Sequence, residues 1–140
     1  MDNVLEKLYD KDDKIAYNYL LELEDESNKS NRLYAYFDGL LEMLNDDKTF
    51  VRVRGFRLIC HLAKWDIENK INDNIDLILA ELNDEKATSV RQCIAKLNLL
   101  LEYKPELADT VKNSLINLDL SKYKESMKSL IEKDIGLIKF

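Results

Sequence analysis

One apolar pattern occurs three times along the chain at intervals close to 38 residues, and a pattern of that kind favours a stack of similar helical units over an eight-helix globule without regular stacking. Leu33, Phe37, Leu40, Leu41 and Leu44 fall at i, i+4, i+7, i+8 and i+11, a spacing that gathers side chains on one face of an α-helix. Ile71, Ile75, Ile78, Leu79 and Leu82 repeat it 38 positions later, and Leu107, Val111, Leu115 and Leu118 follow after a further 36. Each stripe is followed by a polar turn and a second one. Val51, Gly55, Leu58 and Leu62 form the first of these, and Val90, Ile94, Leu97 and Leu101 the next, 39 positions on. Tyr123, Met127, Leu130 and Asp134 take the matching places 33 positions later; Asp134 interrupts that stripe, and Ile131 and Ile135 extend it. Val4, Leu5 and Leu8, then Ala16, Leu20 and Leu23, supply one more pair. A lone pair of helices cannot bury such faces, whereas stacked neighbours can. The reading is a single all-α domain: about four helical hairpins, eight helices, over approximately 1–25, 31–65, 71–103 and 106–138.

Turn chemistry places the boundaries. Asn45 to Thr49 separates two helices with Thr49 as N-cap, and Asn83 to Thr88 separates two more with Thr88 or Ser89 as cap. Pro105 suits a first helical turn, and Ser121 can cap the last helix. With only 3 Gly and 1 Pro in 140 residues, few breakers interrupt these helices. Hydrophobic residues at 46% and charged residues at 34% describe a globular chain, long enough to bury a core without disulfides or metal. Cys60 and Cys93 are too few and too far apart for a disulfide framework or a zinc site, so neither metal nor cofactor is expected. The start of the chain has no basic, apolar leader pattern, and no run approaches the ~18–20 apolar residues of a membrane span. A cytoplasmic protein with reduced thiols, away from membranes, is the expectation. The net charge of −6 argues against a general nucleic-acid binder.

Leu44 to Ala63, LNDDKTFVRVRGFRLICHLA, resembles the second half of a HEAT repeat: a turn Asp, then Val-Arg, a small residue three positions after the Arg, and a Leu/Ile ladder. Leu82 to Leu101 is similar, with Asp84 and Val90-Arg91, one extra turn residue, and Ile94 in place of the small residue. The outer hairpins lack Val-Arg and resemble the family in apolar spacing alone, as capping repeats do. The resemblance implies a right-handed α-α superhelix, armadillo-like, with second helices on its concave side. It also implies an inter-repeat ladder in which Asp46, Arg52, Asp84 and Arg91 are structural.

Arg54, Arg57, His61 and Lys64 recur at 3, 4 and 3 on the flank of one second helix, and no acidic residue lies between Phe50 and Lys64. If that helix lines the concave side, the row projects into the groove; 39 positions on, Lys96 and Tyr103 continue it. First helices and their turns carry acid instead: Asp38, Glu42, Asp46, Asp47, Asp73, Asp76, Glu81, Asp84 and Glu85. An acidic outer wall around a basic inner one would attract a protein or peptide with an acidic segment, Arg supplying bidentate contacts to carboxylates.

The function expected is therefore that of a non-catalytic protein-binding scaffold or adaptor, monomeric or weakly oligomeric. Runner-up readings are a nucleic-acid-binding protein similar to the HEAT-type DNA glycosylases, or a helper in cofactor or iron–sulfur assembly, including a tetrapyrrole-handling role like that of the HEAT-type phycobilin lyases. His61 has no adjacent carboxylate in sequence to orient it as a catalyst. Packing is the expected role of Trp65, and burial that of both cysteines.

Overall fold

Four aspartates mark the four turns on which the molecule is built. In the computed structural model, which describes residues 3–140, Asp10 accepts a hydrogen bond from the Asp12 amide at 2.8 Å and Asp46 one from the Lys48 amide at 2.9 Å. Asp84 does the same with Lys86 and Asp119 with Ser121, both at 3.0 Å. Each carboxylate closes a turn two residues onward, a local bond that competes with helix continuation and ends the preceding helix. The first hairpin begins at positions 1 and 2, which lie outside the described residues.

All regular structure among the described residues is helical. The α-helices are α1 Asp13–Ser27, α2 Phe37–Met43, α3 Thr49–His61, α4 Lys70–Asp73, α5 Ile75–Leu79, α6 Ala87–Ala95, α7 Leu97–Tyr103, α8 Ala108–Ile116 and α9 Glu125–Gly136. Single 3-10 turns extend several of them: Arg32–Tyr36 leads into α2, Leu62–Trp65 continues α3, Ala80–Asn83 continues α5 and Pro105–Leu107 leads into α8. Since α4–α5 and α6–α7 are each one rod broken at a single residue, Asn74 or Lys96, the rods number eight once the opening 3-10 turn Glu6–Tyr9 is counted.

The caps differ from the sequence expectation. Thr49, Thr88 and Ser89 lie inside α3 and α6 rather than ahead of them, and Ser121 sits in a turn before α9. The turn aspartates have taken over the polar work those hydroxyls were assigned. Pro105 does open a helical turn.

The long helices α1, α3, α6 and α9 lie side by side in chain order, with α2 packed behind α3. They run parallel: Asp13, Glu24 and Asn28 of α1 and its end meet Arg54, Arg57 and Lys64 in turn, and Arg91 and Asn98 meet Asp134 and Leu137. Tyr19 donates to the Val4 carbonyl within the first hairpin. The side-chain hydrogen bonds that join hairpins span one repeat, from 32 residues for Arg52–Asp84 to 46 for Arg54–Leu8, while the Lys96–Glu24 ion pair reaches from the third hairpin to the first. Contacts mostly between adjacent repeats are what a one-dimensional stack produces.

The core follows the stripes. Leu33, Phe37, Leu40, Ile71, Ile78, Leu79, Val111, Val51, Leu58, Ile59, Val90 and Leu97 are all buried; Leu41, Ile75 and Leu118 are half-buried at its margin. In α9 the register lies one residue on from Leu130, with Ile131 buried and Leu130 exposed. Gly55 permits a close crossing of α2 and α3: a Cβ there would stand 2.9 Å from Met43 Cβ and 3.0 Å from the Leu40 carbonyl of α2.

Candidate functional site

The basic row of α3 is not a surface. Arg54, Arg57 and His61 are buried, and only Lys64 is exposed. The exposed row expected at these positions is thereby corrected. A helix wheel identifies the flank they share, but α1 on one side and α6 on the other converge over that flank and cover it. Arg54 donates to the Leu8 carbonyl at 2.8 Å and to Asp13 at 3.1 Å. Arg57 forms a two-pronged pair with Glu24 of α1, 2.9 Å on each arm, and its remaining nitrogen donates to Gln92 of α6 at 2.9 Å. The Tyr17 ring lies 5.5 Å from the Arg57 guanidinium carbon. Lys64 donates to the Asn28 carbonyl at 2.7 Å.

Lys96 reaches over from the α6–α7 junction to donate to His61 Nε2 at 2.9 Å and stands 3.4 Å from Glu24. Because an ammonium only donates, Nε2 is the acceptor, and the proton sits on Nδ1, 3.2 Å from Asn28 Oδ1. Burial, then the Lys96 charge, holds the imidazole down at about 4, against the pull of Glu24. Arg57, Glu24, Lys96 and neutral His61 thus form a closed knot tying α1, α3 and α6. Breaking one partner of such a pair costs about 3–5 kcal/mol, which marks the knot as a structural tie. Tyr103, also expected in the groove, is exposed at the end of α7, apart from this knot.

Arg52 bridges hairpins as the ladder expectation had it, 2.7 Å from Asp84, and it also meets Glu81 at 3.2 Å and the Asp46 carbonyl at 2.8 Å. The other rungs differ. Arg91 pairs with Asp134 of α9 at 2.6 Å rather than with a turn aspartate. The Asp46 carboxylate receives no arginine, since the first hairpin has Ala16 at the place Arg52 occupies in the second. Glu81 and Asp84, read as part of an acidic outer wall, are buried. Burial and the neighbouring Asp84 push the Glu81 carboxyl up to about 8. Asp66 and Lys104 form a further buried pair at 3.1 Å, completed by Tyr34 at 2.6 Å and the Lys70 and Ile71 amides at 2.9 Å each. Trp65 donates to the Ser27 carbonyl at 2.6 Å, and both cysteines are buried with burial raising their thiols.

Two adjoining open spaces lie at the other end of the inner helices. A cavity of about 340 Å³ is lined by Tyr17 and Leu20 of α1, Phe50 and Val53 of α3, and Gln92 of α6, with Asp13, Lys14 and Arg54 beside it. Tyr17 and Phe50, both lining it, are each more than 40% exposed. A second depression of about 410 Å³ shares Asp13, Phe50 and Arg54 and adds Asp10, Lys11, Asp47, Lys48, Thr49, Val51 and Lys86. Lys86 Nζ stands 5.0 Å from the centre of the Phe50 ring. Among the described residues, none of Lys11, Lys14, Lys48 and Lys86 forms an ion pair. Of the residues expected to bind a partner, only Arg54 borders these spaces, and it is buried. The available signal was Phe50, an aromatic one residue before the α3 stripe between Lys48 and Arg52, facing away from the core.

Among the described residues no helix is long and apolar enough to cross a membrane. Comparison with protein-family models, with curated proteins and with solved structures returned no match.

Proposed function

We propose that this chain is a protein-binding module, a scaffold or adaptor of HEAT-like hairpins in a right-handed superhelix, working in the cytoplasm without catalysing a reaction. Four hairpins joined mostly by contacts between neighbours support the HEAT-like reading, as does the Arg52–Asp84 rung. The observation that carries the binding role is the group of four lysines without ion-pair partners, Lys14 at the α1–α3 cavity and Lys11, Lys48 and Lys86 at the depression adjoining it, in a chain of net charge −6. Unneutralised cations beside exposed apolar side chains suit a polypeptide partner with an acidic segment. The partner surface is thus moved from the α3 flank to the amino-terminal ends of α1, α3 and α6. The nucleic-acid alternative rested on the basic α3 face, which is turned inward.

Selection from a random displayed-peptide library on the full chain tests this reading. Acidic sequences should be enriched, and their binding should weaken at least tenfold when Lys48 and Lys86 are both replaced by Glu. It should also weaken on raising salt, because exposed charges are screened over ~8–10 Å at physiological ionic strength. Enrichment of neutral or basic peptides, or binding indifferent to both changes, overturns it.

A further inference from the structure

We infer that the cavity between α1 and α3 is an anchor site for one bulky apolar side chain, aromatic or large aliphatic, carried by an acidic peptide segment whose carboxylates meet the surrounding lysines. This deepens the peptide-binding reading and rests on it.

The walls are apolar where a side chain would enter. Leu20 and Val53 form the floor, each at most 2% exposed, while Tyr17 and Phe50 stand 44% and 41% exposed at the sides. A space of about 340 Å³ is at the small end of ligand pockets, suited to a single large side chain. The site is held firmly. Arg57 holds Gln92 at 2.9 Å and lies over Tyr17, and Arg54 fixes Asp13 at 3.1 Å, so the buried arginines orient the lining without being available to a partner. Rigid aromatic edges around a desolvated floor are where binding energy concentrates in protein interfaces.

The rim chooses the class of partner. Lys14 borders the cavity itself, and Lys11, Lys48 and Lys86 border the adjoining depression beyond Phe50. Asp10, Asp13 and Asp47 interleave with them; Asp13 is spent on Arg54, and Asp10 accepts the Asp12 amide. Discrete carboxylates spaced along a peptide can settle on the lysines between these acids. A continuous phosphate backbone would meet the acids as well, in a chain already at −6.

Three synthetic probes on the full chain separate the outcomes: an acidic peptide with a central Trp, the same peptide with that Trp replaced by Ala, and a single-stranded oligonucleotide of equal charge. Binding is read by titration and by methyl resonances of Leu20 and Val53. The Trp peptide should bind at least tenfold more tightly than its Ala counterpart and shift both methyl signals through the ring current. Phe50→Ser should erase that preference while leaving the unfolding midpoint near wild type, and Leu137→Ser, an exposed apolar change elsewhere, should leave the preference intact. Equal binding of both peptides with unmoved methyls overturns the anchor and leaves the acidic-partner reading standing. No binding of either peptide overturns both. Tighter binding of the oligonucleotide replaces the peptide with nucleic acid as the occupant.

Discussion

Helices α3 and α9 hold corresponding places in the second and fourth hairpins, yet ten of the thirteen residues of α3 are buried and only one of the twelve of α9, Ile131. Composition accounts for part of this, with seven hydrophobic residues of thirteen in α3 against four of twelve in α9, and position for the rest. Helices α1, α2, α6 and α7 enclose α3, whereas α9 has a hairpin on one side only. In a stack, the burial of a residue is set by how many repeats flank it, and the same apolar spacing yields a core helix in the middle and a surface helix at the end.

The largest expected effect tests that contrast directly. Phe56→Ala, at a fully buried position of α3, should lower stability by about 3–5 kcal/mol in chemical denaturation, whereas Leu130→Ala in α9 should cost under about 1 kcal/mol. Comparable losses at both would show that the terminal hairpin is more enclosed than its exposure indicates.

Next come the charges. Glu24→Ala should cost about 3 kcal/mol by leaving Arg57 and Lys96 around an empty place, and Arg57→Ala a similar amount. Arg91→Ala, whose pair with Asp134 faces solvent, should cost far less. The sequence had ranked Arg52 and Arg91 above Arg57 as structural; equilibrium unfolding of the three variants should put Arg57 first. A third substitution probes the α2–α3 crossing: Gly55→Ala should lose about 1–3 kcal/mol, as its Cβ would press on the Leu40 carbonyl. An unchanged midpoint would mean that the helices can part.

Smaller effects come from pH, and they too belong to the central hairpins. His61, held at about 4 against an ordinary 6.5, leaves the folded state binding fewer protons than the unfolded one between those values, so stability falls as pH drops from 6.5 toward 4. Glu81 acts in the opposite sense. Raised from 4.5 to about 8, it holds a proton the unfolded chain has released, so stability falls as pH rises through that window. Each slope is bounded by about 1.4 kcal/mol per pH unit. His61→Gln should flatten the acid limb and Glu81→Gln the other, read as unfolding midpoints from pH 4 to 8. Loss of neither slope on substitution would place the titration elsewhere.

The contrast between middle and end also separates what was legible from what was not. The 38-residue stripe located the rods and nearly all of the core, because a helix presents one face at a spacing that depends only on its own geometry. The turn aspartates were legible as well: Asp46 and Asp84 were matched, and Asp10 and Asp119 hold equivalent places at either end. The row Arg54, Arg57 and His61 was correctly put on one flank and wrongly put in solvent. A wheel reports direction around one helix and nothing about whether two others lean across it.

By itself, then, the sequence determined an all-α chain of eight rods, since helix periodicity and turn chemistry act within a few residues. Only the tertiary structure decided which charges are bonds of the interior and which are free. That depends on how closely α1 and α6 approach over α3, a distance set by packing across whole repeats: Gly55 letting α2 in from behind, Glu24, Gln92 and Lys96 reaching across in front. Because they reach, Arg57 is spent within the fold. Where α1 and α3 leave room near their amino ends, Phe50, Tyr17 and the lysines remain available to a partner.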